Sequence, residues 1–82
     1  MSQIARTPKQ LGAALRRRRR QLRLSQAALG SRTNLRQATI SALENGEPGT
    51  ELRTLVDVTS ALGLELVVQE RSKATSSIAD LF

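Results

Sequence analysis

The 82-residue chain has no cysteine, histidine, tryptophan or tyrosine, and its one aromatic residue is Phe82. Without thiols or imidazoles there can be no disulfide, no thiolate or imidazole metal site, and none of the commonest nucleophile–base pairs. The chain is therefore expected to be neither an enzyme nor a metal protein, with no cofactor and no small-molecule substrate. A single aromatic leaves no stacking platform for single strands or RNA loops. No apolar run approaches the roughly 20 residues of a membrane span, and no apolar h-region marks a signal peptide. No membrane partner is expected, and the location read from this is cytoplasmic. The chain length allows one small domain whose core is marginal alone, so pairing with a second copy would stabilise it.

Acid is missing from the front of the chain. Up to Leu43 there are ten Lys/Arg and no Asp or Glu; from Glu44 onward there are three basic and seven acidic residues. The two parts carry +10 and −4. A polyanion partner follows for the first part. No strongly apolar face accompanies the charge, so nucleic acid fits better than a membrane surface, and duplex DNA better than single strands.

Helix signals occupy that basic part. Thr7-Pro8-Lys9-Gln10 is a helix start, with Thr7 as N-cap, Pro8 in the first helical position and Gln10 completing a capping box. The helix runs to about Leu22, with Leu11, Leu15 and Leu22 on one face. Arg16 to Arg20 lie within it, and five successive residues spread around a helix, so they cannot all reach one DNA backbone. Arg16 and Arg20 are the candidates for phosphate. Met1 to Arg6 reads as a loose arm.

Ser25 to Gly46, SQAALGSRTNLRQATISALENG, organises the rest. Ser25 is a good N-cap for a helix of about two turns, and Asn34 tolerates the left-handed backbone of a sharp turn. A second helix carries Ile40, Leu43 and Glu44 before Asn45-Gly46 stops it. Ala28, Leu29, Leu35, Ile40 and Leu43 supply the contacts that lock the pair. Arg36, Gln37, Ala38, Thr39 and Ser41 remain outward at the start of the second helix. Those side chains suit a major groove. Gln37 has an adenine edge as its natural bidentate partner, Ala38 and Thr39 suit a thymine methyl, and Arg36 suits guanine or phosphate. Ser41 and Gln26 are placed for the backbone, Gln26 beside the free N–H groups of its helix start.

This segment resembles the helix-turn-helix of the phage-repressor (Cro/CI, or Xre) family in Ser25-Gln26, Leu29, Ile40-Ser41, Glu44 and Gly46. Asn34 stands where that family has its turn glycine. Gly30 stands where it has a small residue that lets the helices approach. The resemblance implies an all-α, lambda-repressor-like domain of four to five helices. It also implies an ion pair between Arg19 and Glu44, and a Gln26 that holds phosphate and braces Gln37. Arg18 falls at a usually apolar position, so its stem is expected to pack and its head to snorkel.

Beyond the Gly46-Glu47-Pro48-Gly49 loop, Thr50 reads as the cap of a last helix, with Glu51 in its first turn. Leu52, Leu55, Val56, Thr59 and Leu62 recur at helical spacing to close the core, and Gly63 ends the helix. Residues 64 to 70, LELVVQE, alternate in period two as a strand. A lone strand needs a partner, and the economical one is the same strand of a second copy, through Leu64, Leu66, Val67 and Val68 in a two-stranded intermolecular β-ribbon. The expected organisation is an arm (1–6), a DNA-binding domain (7–63), a dimerising strand (64–70) and a C-terminal tail (71–82).

A helix-turn-helix with such a strand resembles the HipB-type antitoxins, as do Arg36 to Ser41, Glu44-Asn45 and Ala61 to Leu66. That resemblance implies a homodimeric, bacterial-type, nucleoid-associated repressor of its own toxin–antitoxin operon. Its DNA would be a palindromic operator, and its protein partner a serine/threonine kinase toxin of the HipA type. A plain Xre-family repressor with no toxin is the alternative. On the antitoxin reading, Ile78, Leu81 and Phe82 would be an apolar tail anchor for the partner protein.

Overall fold

The computed structural model describes residues 3–71, which form α1 (Pro8–Gln21), α2 (Gln26–Thr33), α3 (Gln37–Glu44) and α4 (Leu52–Ala61). The fold is all-helical, with four helices and no strand among the described residues. Residues 64–70, expected as a strand, follow α4 without a strand partner among the described residues. The tail residues Ile78, Leu81 and Phe82 lie outside the described residues.

Two of the expected caps are made by side chains. Thr7 Oγ1 accepts from the Gln10 N–H at 3.0 Å, and Ser25 Oγ accepts from the Ala28 N–H at 3.0 Å. The Gln10 side chain reaches back one residue further than a standard capping box, accepting from the Arg6 N–H at 2.7 Å. The cap of α4 differs from expectation. Glu51 holds the N-cap position without a side-chain hydrogen bond, and Thr50 instead donates to the Glu47 carbonyl at 3.1 Å. The threonine hydroxyl closes the preceding loop, so the helix starts later.

Each helix ends the same way. A residue of positive φ follows it, Arg23 (58°), Asn34 (58°), Gly46 (82°) and Gly63 (68°) in turn. The next N–H then bonds five residues back: Leu24 to Arg19, Leu35 to Gly30, Glu47 to Ala42 and Leu64 to Thr59. This is the closure by which a left-handed residue satisfies orphan helix carbonyls. At α1 it turns Leu24 toward the core and leaves Leu22 39 % exposed, against the expectation that Leu22 joins Leu11 and Leu15.

The core is Leu15, Leu29, Ile40, Leu43, Val58 and Leu62, with Leu11, Leu24, Leu35, Leu55 and Ala61 packed around it. It sits where α3 meets both α1 and α2, and where α4 lies on α2. Two glycines set these approaches. A Cβ on Gly12 would strike the Leu43 and Glu44 carbonyls, and one on Gly30 would lie 2.6 Å from the Leu35 carbonyl oxygen. On α4 the inward arc is Leu55, Val58, Thr59 and Leu62. Leu52 and Val56, expected in the core, are 71 % and 47 % exposed. At roughly 100° per residue they fall on a flank of that arc rather than at its centre.

Candidate nucleic-acid interface

Gly12 brings α1 against the end of α3, and one to two turns further along α1 the guanidinium groups of Arg16 and Arg19 meet the Glu44 side chain. Arg19 Nε donates to Glu44 Oε2 at 2.6 Å and its second nitrogen to Oε1 at 3.0 Å, a bidentate pair. Arg19 also donates to the Leu24 carbonyl at 2.8 Å. Both side chains are almost fully enclosed, 9 % and 1 % exposed. Burial pushes the Glu44 carboxyl up, but the hydrogen bonds from Arg19 and Gln26 outweigh it and hold the group below its ordinary range. The bond to Glu44 raises Arg19 against its own desolvation. Both groups are therefore charged at neutral pH, and neither is free to act on a ligand.

Glu44 holds more than its ion pair. Arg16 Nε donates to Oε1 at 3.3 Å, and its terminal nitrogen to Asn45 Oδ1 at 2.7 Å. Gln26 Nε2 donates to the same Oε1 at 3.1 Å. Gln26 Oε1 in turn accepts from Gln37 Nε2 at 3.4 Å. A continuous chain thus links the α1 arginines, through the end of α3 and the start of α2, to the first residue of α3. The spacing of the sequence does not show that Arg16 and Gln26 converge on one carboxylate oxygen, or that Asn45 joins them.

Around this chain lie the other predicted contact residues. Arg36, Gln37 and Ala38 are exposed, and Thr39 and Ser41 are half-buried. Arg36 is the N-cap of α3 rather than a residue of its first turn. Arg20 is exposed on α1, whereas Arg16 spends two of its five N–H donors inside the molecule and keeps 34 % of its side chain exposed. Arg18 is half-buried, and its head does not simply reach solvent as expected: Nε donates to the Leu62 carbonyl at 2.9 Å, capping the end of α4. Leu64, Leu66, Val67 and Val68 are all exposed, Val68 fully. No helix among the described residues is long and apolar enough to cross a membrane, and no acidic cluster there could hold a metal ion.

Two short helices joined by a left-handed turn, the second with its polar first turn outward beside an arginine-rich helix, define a helix-turn-helix protein. A family model for the helix-turn-helix domain matches residues 10–72, and the chain belongs to that family, in its Xre-type branch. Among solved structures it is similar to HipB. A HipB variant in complex with an O2 20mer matches at 30 % identity and a TM-score of 0.81, over 88 % of this chain and all of that one. A HipB–O4 20mer complex gives the same identity and TM-score over 87 % of this chain and all of the other. A HipA–HipB–O2–O3 complex matches at 30 % and 0.80, again over 87 % of this chain and the whole of the other. No curated protein matches the chain.

Proposed function

We propose that this protein is a homodimeric, sequence-specific repressor that binds a palindromic operator, and that it serves as the antitoxin of a type II toxin–antitoxin operon with a HipA-type kinase as its toxin. The observation that supports operator reading most directly is the Glu44–Gln26–Gln37 chain. It holds an amide at the exposed start of α3, where a recognition helix meets base edges. In this reading Gln37, Ala38, Thr39 and Arg36 face bases, while Gln26, Ser41, Arg20 and the exposed part of Arg16 face phosphates. Residues 7–63 are the DNA-binding domain. The dimer is made by residues 64–70, whose four apolar side chains lie uncovered in the single chain. The toxin assignment is carried by the likeness to HipB, found with HipA in one of the similar structures. The tail residues Ile78, Leu81 and Phe82 are its proposed contact.

Binding to a randomised duplex library, followed by sequencing, tests the first part. A palindrome with half-sites about one helical turn apart is expected. Gln37→Ala should then lose on the order of 1–3 kcal/mol on the selected duplex and almost nothing on a scrambled one. Equal losses on both would remove Gln37 from the readers. Co-purification from the native cell tests the second part. Recovery of no kinase leaves the plain repressor as the function.

A further inference from the structure

We infer that Glu44 is a positioning residue for base selection: acting through Gln26, it fixes which way round the Gln37 amide faces the DNA and thereby makes that position favour adenine over guanine. The inference rests on the operator-reading proposal above and goes beyond it to the origin of selectivity.

The argument is one of donors and acceptors. Arg16, Arg19 and Gln26 all donate to the Glu44 carboxylate, which is an acceptor only. Gln26 must therefore turn its Nε2 toward Glu44, and this leaves its Oε1 for Gln37. That oxygen can only accept, so Gln37 must offer its own Nε2. The orientation of two amides, each otherwise free to turn over, follows from one buried charge. The Gln37 amide then has one N–H left on the side of Gln26 and its oxygen on the far side. This donor–acceptor pair matches the N7 acceptor and N6 donor of adenine. Guanine presents two acceptors, N7 and O6, and would set its O6 against the Gln37 oxygen. An amide released from Gln26 has both of its N–H donors free and can aim them at N7 and O6 together, so the release should relax selection.

Glu44→Gln replaces the acceptor-only group by one that can present either an oxygen or an amide nitrogen to Gln26. Gln26→Met keeps the chain length, removes both of that residue's bonds, and leaves the Arg19–Glu44 pair in place should the first variant fold poorly. Wild type and both variants are run against the same randomised duplex library. Wild type should require adenine at one position of each half-site. Both variants should lose on the order of tenfold in adenine-over-guanine preference there, with the other positions unchanged, and the double variant should lose no more than either alone. Gln26→Met should also weaken binding evenly across sequences through its lost phosphate contact; an unaltered adenine preference in that variant overturns the inference while leaving operator reading intact. A wild-type protein that enriches no sequence overturns both.

Discussion

Glu44 is an acid in the basic part of the molecule, and every group bonded to it is a donor: Arg16, Arg19 and Gln26. A buried carboxylate so placed does little for stability relative to an apolar group, but breaking it is costly because one charge is left unpaired. Arg19→Ala and Glu44→Ala should each lose about 3–5 kcal/mol in urea denaturation. The double variant should lose clearly less than the sum, since neither charge is then stranded. Simple additivity would mean that the pair is not energetically coupled. The acid limb follows from the same bonds. Folded Glu44 gives up its proton more readily than unfolded Glu44, so its stabilisation is complete above the unfolded value, about 4.3, and is lost as pH falls through the lower folded value. Arg19 is raised, so its contribution is lost only above the arginine range and leaves ordinary pH untouched. Stability measured from about pH 6 down to 3 should therefore fall less steeply in Glu44→Gln than in wild type. Parallel curves would assign the acid limb to other carboxylates.

The helices show what a sequence can and cannot announce. Asn34, Gly46 and Gly63 are residues that tolerate positive φ, and each stands at a helix end where a stop was expected. Arg23 does the same job with no such signal, because the left-handed backbone there is imposed by the Leu24-to-Arg19 bond and by the burial of Leu24. Leu22 leaves the core for that reason. The α4 flank departs from expectation for another: periodicity gives an apolar face but not its centre, which depends on where α2 lies. The helix-turn-helix itself was legible because its caps, turn and core leucines are local in sequence. The Glu44 chain was legible only in part, since Arg19, Gln26 and Gln37 reach it from three different helices. Arg23 also yields a test. A non-glycine residue in the left-handed region carries strain of about 1–2 kcal/mol, partly offset by the entropy glycine loses on folding. Arg23→Gly should thus raise stability by roughly 0.5–1 kcal/mol, read as an increase in Tm. An unchanged or lower Tm would show that the arginine side chain stabilises the corner by more than its backbone costs.

At the scale of the whole molecule, several large apolar side chains stand exposed among the described residues. Leu52, Val56, Leu64, Leu66, Val67 and Val68 are all exposed, while the fully assembled core is only six side chains. A core that small is marginal, and a second copy is the economical cover. Beyond Leu64, whose N–H closes α4, residues 65–70 make no backbone hydrogen bond among the described residues, so the proposed ribbon would satisfy those groups and cover the apolar side chains at once. The proposed dimer would matter for DNA because two recognition helices on one palindrome bind as a unit, whereas a lone domain meets only half a site. Val67→Pro removes one ladder N–H and fixes φ without touching α1 to α4, so the helical domain should still fold. Sedimentation should show monomers at concentrations where wild type is dimeric. Binding to the full palindrome should drop by on the order of a hundredfold, with half-site affinity retained. If Val67→Pro stays dimeric, the subunits meet through the Leu52–Val56 flank of α4 instead, and Val56→Asp becomes the variant that separates them.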